Sequence, residues 1–372
     1  TNEYDFTDKN QRLQLISKYL ANILRKGSKN EQLHALDTIS LLALSLNDGL
    51  DFFMKYFQNM LKSLIQRPKS AIVQIKAINT WAIMVWSFGD GGSKIATLKL
   101  FEYFWNYNLK EDDDDDDNDY YEDEDSDDDE EKEKNESDKK QQRASTEILT
   151  AAIDAWLFLI TSIGDSSNIG SLLDTYCQSL LQLLRLESTT ITEKIHIGKA
   201  LTVLIDNYND AIENDVDFQS QDVNLEAIMN EFNHLKSNSK QHRRKEFLNQ
   251  KAKFRDYLKT LEHKWTPLIV IKLHHKQFEL SGWNQWIQYH YIKNTLQNGL
   301  QAHLLQNIKI KETFNIEIDA EPIEISKTEK KSKKIENIEN ERKIKKDRWK
   351  RRDSKRGFIF DKNLIDQQST TY

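Results

Sequence analysis

Residues 77–91 read AINTWAIMVWSFGDG, and two other parts of the chain repeat this stretch. Residues 35–49 read ALDTISLLALSLNDG, 42 positions earlier, and residues 152–166 read AIDAWLFLITSIGDS, 75 positions later. The longer interval contains an acidic stretch at residues 111–143, and without its 33 residues the spacing is again 42. A period of about 40 to 47 residues is typical of the helical pairs of armadillo and HEAT arrays. The sequence therefore predicts a mostly α-helical solenoid at the start of the chain.

Helical periodicity extends over the first 210 residues. It predicts a first helix that Gly27 and Ser28 close. Return helices of the repeats are predicted at 51–66, 94–109 and 168–186. A fourth, degenerate copy is expected 42 residues after the third, with its apolar positions at Ile195, Leu201 and Ile205. Each solenoid repeat buries its apolar face only on its neighbours and leaves a long, shallow surface, which favours a binding protein.

The net charge of −7 hides two opposite populations of charge. Residues 111–138 carry 20 acidic side chains and 2 lysines, a local charge of −18, which leaves +11 on the rest of the chain. Residues 236–255 hold 8 Lys or Arg against one Glu, and residues 327–356 hold 15 against 6 acidic residues. Dense positive charge attracts polyanions, so these two basic stretches are the predicted sites of nucleic-acid binding.

The acidic stretch is poor in apolar residues and its like charges repel one another. Residues 111–143 are therefore predicted to be a disordered loop inserted between two repeats. Two interpretations of this loop remain open. It is a solvated spacer that keeps the protein soluble, or it imitates nucleic acid and engages the basic tail or basic partners such as histones and ribosomal proteins.

After about residue 235 the pattern changes from repeats to a short α+β arrangement. Residues 240–261 predict a basic helix, residues 268–280 a β-hairpin, and residues 281–298 a helix that Gly299 breaks before residues 300–307. The predicted organisation is an armadillo-like domain at 1–235, a small α+β carboxy-terminal domain at 236–318 and a basic helical or disordered tail at 319–372.

The tail contains the main set of candidate RNA-binding residues, in a predicted helix at 338–356. Its cations are Arg342, Lys343, Lys345, Lys346, Arg348, Lys350, Arg351, Arg352, Lys355 and Arg356. Cations at this density displace counterions from phosphates and bind RNA with little dependence on its sequence. Trp349 lies among these cations and would stack on an unpaired base. The alternative interpretation is a nuclear-import signal or a solvated charged helix, with Trp349 packed on the protein's own surface.

A second set of candidate RNA-binding residues lies on the predicted basic helix. It consists of Arg243, Arg244 and Lys245, followed by Lys251, Lys253 and Arg255. Along one helix these side chains would form a stripe that extends an RNA-binding face. The alternative is that Arg255 and Asp256 form a structural pair within the carboxy-terminal domain.

The sequence contains none of the common signatures of catalysis or metal binding. There is no G-x-x-x-x-G-K-[ST] phosphate loop, no G-x-S-x-G nucleophile turn and no dinucleotide fingerprint. His274 and His275 are adjacent, so on a strand they point to opposite faces, and no CxxC accompanies them. We therefore expect a protein that is not an enzyme and has no cofactor. The single cysteine, Cys177, excludes an internal disulfide and fits a reducing compartment.

Two sets of residues resemble those of a known family. Residues 24–32 read LRKGSKNEQ. The second set is an ordered series of polar and aromatic residues: Phe254-Arg255-Asp256, Phe278-Glu279-Leu280, Trp283, Leu296, Gly299, His303-Leu304, Asn307 and Phe314. The first set resembles the opening of the helical-repeat domain of the interferon-related developmental regulator family, and the second resembles that family's carboxy-terminal domain. The long acidic insertion and the lysine-rich tail depart from the family pattern.

The resemblance implies a regulator without enzymatic activity. Members of the family are described as co-regulators of transcription that act through protein complexes, and as factors that sit on the ribosome and hold it translationally inactive. We expect ribosomes and ribosomal RNA as partners of the tail and the carboxy-terminal domain, and a monomer outside that complex. A cytoplasmic protein with a nuclear pool and no membrane contact is expected. The alternative is a nuclear scaffold for transcription or chromatin proteins, with the tail as its import signal.

Overall fold

The computed structural model describes residues 9–46, 50–68, 70–113, 145–163, 166–214, 224–237, 244–273 and 276–317. The chain divides into two compact units, Thr1–Ile316 and Glu317–Tyr372. Apart from Glu317, all the described residues belong to the first unit.

Ten helices occupy the described chain as far as residue 263. They are α1 (Lys9–Lys26), α2 (Lys29–Ser45), α3 (Leu50–Gln66), α4 (Ala71–Phe88), α5 (Gly91–Asp113), α6 (Thr146–Ile160), α7 (Ser166–Arg185), α8 (Ile191–Asn214), α9 (Leu225–Ser237) and α10 (Arg244–His263). The predicted return helices appear as α3, α5 and α7. Helix α5 starts three residues before the predicted return helix, and Asp90 caps it by accepting a hydrogen bond from the Ser93 N–H at 2.8 Å.

A β-hairpin and three further helices follow. The predicted hairpin is formed by β1 (Leu268–Leu273) and β2 (Lys276–Ser281), which pair antiparallel with Leu268 opposite Ser281. The chain continues through α11 (Trp283–Leu296), a 3₁₀ turn (Gln297–Gly299), α12 (Leu300–Gln306) and α13 (Ile308–Thr313). The helix break predicted at Gly299 is this 3₁₀ turn.

The ten long helices form two layers. Layer A contains α2, α4, α6, α8 and α10, each in contact with the next. Layer B contains α1, α3, α5, α7 and α9, and each of these packs on layer A. The predicted fold class, an armadillo- or HEAT-like solenoid followed by a small α+β region, is confirmed. The tail of that prediction lies outside the described residues.

Equivalent positions of the three clear copies are buried, as the repeat requires. The alanines that open them are all in the core: Ala35, Ala77 and Ala152. Trp81 and Trp156 hold a common repeat position on α4 and α6, and both are buried. Trp156 packs edge-on against Trp105 of α5 and Tyr176 of α7, with ring centroids 5.7 and 5.2 Å away. These rings join layer A to layer B.

The fourth copy lies on α8, where Gly198 occupies the tryptophan position. A Cβ atom at Gly198 would lie 2.8 Å from the ring of Phe254, which belongs to α10. The aromatic ring at this position is therefore supplied by the neighbouring helix. Of the three predicted apolar positions, Leu201 and Ile205 are buried and Ile195 is partly exposed.

Among the described helices, α4 alone is long and apolar enough to cross a membrane. However, 67% of it is buried inside the protein, where it contacts α2, α3 and α6. Its apolar composition is accounted for by this position in the core.

Candidate nucleic-acid interface

The carboxy-terminal helices pack on layer A of the solenoid. Helix α11 contacts both α2 and α6. The ring of Tyr291 stacks on Phe158 of α6, with centroids 4.1 Å apart and an angle of 8° between the planes. The Tyr291 hydroxyl donates to Oδ1 of Asn79 on α4 at 2.7 Å. Part of the solenoid surface is thus covered by the chain itself, and the division into domains at 1–235 and 236–318 stays a prediction.

Three side chains between residues 288 and 309 donate hydrogen bonds to the ends of three successive layer A helices. Asn307 donates through Nδ2 to the carbonyl of Leu44, near the end of α2. Lys309 donates through Nζ to the last carbonyls of α4, at Trp86 (3.1 Å) and Ser87. Gln288 donates through Nε2 to the carbonyl of Thr161, which caps α6, at 2.9 Å. The last carbonyls of a helix have no intrahelical partner, so these donors satisfy groups that layer A leaves open.

Lys309 lies in a partly apolar environment. Its Nζ is 4.9 Å from the ring centroid of Trp86. Burial, followed by the positive charge of Lys94, lowers the pKa of Lys309 to about 8. The ammonium still serves the end of α4, because a cation there interacts favourably with the helix dipole.

The third residue of every repeat copy is polar, and these four residues form a row across layer A. Asp37 pairs with Lys76, and Asn79 accepts from Tyr291. In the third copy, Asp154 accepts hydrogen bonds from Lys199 Nζ at 2.6 Å and lies 2.9 Å from His196 Nδ1. His196 is itself the third residue of the fourth copy. Burial would raise the pKa of Asp154, but Lys199 and His196 together hold it below its usual range.

Four basic side chains from three helices are close enough for their charges to interact, and we name them the basic cluster: Lys199 of α8, Lys253 of α10, and His290 and Lys293 of α11. The pKa of His290 is lowered by its burial and then by the positive charges of Lys293, Lys199 and Lys253. Lys253 and Lys293 are exposed. Sequence reasoning found only Lys253, because nothing in the local pattern relates α8 to α11.

The exposed face of α10 carries a second group of cations, which we name the α10 face: Lys245, Lys251, Arg255 and Lys259. The last three are spaced four residues apart and therefore share one side of the helix. The predicted stripe is thus split, because Lys253 is rotated about 200° from Lys251 and belongs to the basic cluster. Arg244 lies on α10 without a described side chain, and Arg243 lies outside the described residues.

Asp256 is the main acidic neighbour of the α10 face. Its Oδ1 lies 3.6 Å from Arg255 Nε and 4.0 Å from Lys259 Nζ. Arg255 and Asp256 thus approach one another as the structural alternative expected, although the arginine remains exposed. Lys259 Nζ also lies 5.9 Å from the ring centroid of Trp265, which is 39% exposed.

Most of the remaining family-motif residues build the fold. Phe254 is fully buried and packs edge-on against Phe232 at 5.2 Å. Trp283 is buried and donates through Nε1 to Thr260 Oγ1 at 3.1 Å. His303 is half-buried, and burial lowers its pKa. Gly299 closes the 3₁₀ turn, and Asn307 caps α13 by accepting from the Ile310 N–H at 3.1 Å.

The other candidate RNA-binding residues lie outside the described part of the chain. Residues 342–356, which contain all the predicted tail cations and Trp349, lie outside the described residues. The acidic insertion does as well, except for residues 111–113 at the end of α5. The α10 face and the basic cluster are therefore the part of the candidate interface that has a described geometry.

Two features bear on the expectation of a protein without catalysis. Within the described ranges, no group of three or more His, Cys, Asp or Glu residues is arranged to hold a metal ion. Burial, followed by the charge of Asp174, raises the pKa of Cys177 to about 11. A thiol in that environment is a poor nucleophile, because the thiolate is the reactive form.

A cavity of about 820 Å³ opens where the α7–α8 turn meets α9 and α10. Its lining mixes cations and carboxylates, among them Arg185, whose Nε lies 3.6 Å from Glu231 Oε2. The mixture gives it no single charge preference.

Comparison with known protein families gives a match. The family model described as Interferon-related developmental regulator matches residues 1–262. The match includes Phe254, Arg255 and Asp256 and ends before Trp283. The resemblance proposed from the sequence is confirmed over these residues, and it stays a prediction for the later motif residues. No curated protein matches the chain.

Proposed function

Since the chain belongs to the interferon-related developmental regulator family, we propose that it binds ribosomes through RNA and represses translation or holds ribosomes inactive, without catalysing a reaction. The observation that carries the proposal is the α10 face, whose cations Lys251, Arg255 and Lys259 lie exposed along one side of one helix. We propose that this face contacts phosphates of ribosomal RNA.

The chemistry of the α10 face supports this proposal. Exposed lysines and arginines gain affinity for RNA by releasing the counterions of phosphates, which makes the binding sensitive to salt. Trp265 lies beside Lys259 with part of its ring exposed, so it can stack on an unpaired base. Lys253 and Lys293 of the basic cluster are exposed on α10 and α11 and add positive potential beside this face.

The tail is the second part of the proposed interface. Its ten cations between residues 342 and 356 would extend the contact along RNA, with Trp349 among them. We place this complex in the cytoplasm and expect a monomer outside it. Affinity divided between α10 and the tail implies that loss of either one weakens binding and that loss of both abolishes it.

Sedimentation of cell lysate through a sucrose gradient at two salt concentrations tests the proposal. The full chain should travel with ribosomes at low salt and return to the top at high salt. K251E/R255E/K259E, and separately a chain ending at Ser326, should each bind at least about tenfold more weakly. R67E/K99E/K272E is the matched control, because it reverses three exposed cations elsewhere. Full binding by the α10 variant would remove α10 from the interface.

A second function, that of a nuclear scaffold for transcription or chromatin proteins, is favoured by the acidic insertion. Its 20 acidic residues between positions 111 and 138 have the charge to meet histones or other basic proteins. A complex of this kind would persist after treatment with RNase, whereas the ribosomal complex would lose its particle-sized sedimentation.

A further inference from the structure

The first described helix of the solenoid exposes apolar side chains. Leu15, Ile16 and Tyr19 of α1 are 37%, 42% and 64% exposed. Helix α1 packs on α2 and α3, and no described helix precedes it. Contiguous exposed apolar side chains mark interaction sites more often than isolated ones do. A face of α1 that no described helix covers is therefore a candidate binding surface.

Two of these exposed side chains, Leu15 and Tyr19, line a groove between α1 and α3, which we name the α1–α3 groove. Leu15 and Tyr19 line it from α1, and Tyr56 and Met60 line it from α3. Its volume is about 480 Å³. The lining residues extend from Leu15 to Arg25 along α1, a length of about 15 Å or three helical turns.

The charged side chains described around the groove all have one sign. Lys18 and Arg25 of α1 and Lys55 of α3 line it, and among the described residues its lining includes no Asp or Glu. Within the described part of the chain, none of these three cations forms an ion pair. Helix α1 as a whole contains no acidic residue. The groove thus combines apolar side chains with a basic rim.

We propose that the α1–α3 groove docks an amphipathic α-helix of a partner protein, with apolar side chains at i, i+4 and i+7 and acidic residues on either side of that stripe. Three anchors at this spacing cover two turns and fit within the length of the groove. Glutamates or aspartates flanking the stripe would face Lys18, Arg25 and Lys55. The incoming helix would pack against layer B much as a further solenoid helix does.

The apolar side chains of the α1–α3 groove distinguish it from an RNA site. RNA binds exposed aromatic rings and cations, as on the α10 face. The α1–α3 groove adds the aliphatic side chains of Leu15 and Met60, which offer nothing for a base to stack on or hydrogen-bond to. A partner helix buries these side chains and gains the hydrophobic free energy of that burial.

Two synthetic helical peptides of about 14 residues test the proposal by fluorescence anisotropy on the full chain. Both carry the same Leu and Phe anchors, and one has Glu flanks where the other has Lys. The Glu peptide should bind in the micromolar range and the Lys peptide at least about tenfold more weakly. L15D/Y19D should remove binding, and K18E/K55E should weaken it about tenfold. I72D is the matched control, because Ile72 is an exposed apolar residue outside the groove.

Several outcomes would overturn the proposal. Equal affinity for the two peptides, or unchanged binding by L15D/Y19D with its helical circular dichroism intact, would mean that the groove is not the docking site. Displacement of the Glu peptide by a poly(U) oligonucleotide would assign the surface to RNA. A rise in affinity of more than about tenfold in a chain starting at Lys9 would make residues 1–8 the native occupant. Ribosome sedimentation of L15D/Y19D should equal that of the wild type, so this proposal and the ribosomal one fail independently.

Discussion

The third and fourth copies of the repeat fill the same position in opposite ways. In the third copy Trp156 on α6 supplies its own ring, which packs on Trp105 and Tyr176. In the fourth copy Gly198 on α8 leaves that space open, and Phe254 of α10 enters it. A copy that is degenerate in sequence can therefore be complete in the folded protein, since a residue 56 positions later supplies the missing ring.

Removing either ring gives the largest expected effect. Trp156→Ala and Phe254→Ala should each lower the free energy of unfolding by about 3–5 kcal/mol, because each leaves a cavity in a close-packed core. Urea denaturation measures both losses. Hydrogen exchange should then separate them, with faster exchange in α5 to α7 for Trp156→Ala and in α8 to α10 for Phe254→Ala. A loss below about 1 kcal/mol for Phe254→Ala would contradict its role in completing the fourth copy.

Adding a methyl group at Gly198 tests whether the ring of Phe254 fills the space beside this glycine. Gly198→Ala should destabilise the protein by about 1–3 kcal/mol, because its Cβ would lie 2.8 Å from a buried ring. Gly91→Ala is the matched control, since nothing lies within 4 Å of its Cβ position. Combining Gly198→Ala with Phe254→Leu should restore part of the loss. Thermal unfolding of the wild type, Gly198→Ala, Phe254→Leu and the double variant gives the coupling energy between the two positions. Strictly additive effects would argue against the contact.

The ends of the copies also differ, because Lys309 caps the second copy with a cation and Gln288 caps the third with a neutral amide. The pKa of Lys309 is about 8 in the folded protein and about 10.4 when unfolded. Between these values the unfolded chain binds more protons, so Lys309 makes stability rise as the pH rises, by roughly 2 kcal/mol.

Lys309→Met should flatten that rise between about pH 8 and pH 10, measured by urea denaturation at each pH. Gln288→Met serves as the control, because it removes a cap that does not titrate and should lower stability by a similar amount at every pH. An equally steep rise in Lys309→Met would exclude Lys309 as its source.

The smallest effect is expected at the third positions, where Asp154 of the third copy pairs with His196 of the fourth. The lowered pKa of Asp154 means that its stabilising effect is fully present above about pH 4 and is lost as the pH falls through its folded value. Asp154→Asn should cost about 1 kcal/mol at pH 7, because partial exposure screens the carboxylate. Denaturation at pH 7 and pH 3 should give a smaller difference from the wild type at the lower pH. A difference independent of pH would assign the cost to hydrogen bonding alone.

Local signals explain why much of this fold could be predicted. A helix cap, an apolar period and a hairpin each depend on residues near one another in the chain, as with Ser28 and Glu31, whose capping box starts α2. The burial of Trp81 and Trp156 followed from the repeat, because equivalent positions face equivalent neighbours. Half of the candidate interface that has a described geometry could also be predicted, since Lys251 and Arg255 lie four residues apart on one helix.

The solenoid, the hairpin and the separation of acidic and basic stretches can be predicted without a structure, because periodicity and composition are local properties. The tertiary structure alone decided that α11 to α13 cross layer A and hold its helix ends. The hydrogen bond from Tyr291 to Asn79 joins residues 212 positions apart, and no repeat relates them. The basic cluster and the α1–α3 groove have the same origin. Their side chains come from different helices, and only the packing of those helices places them together.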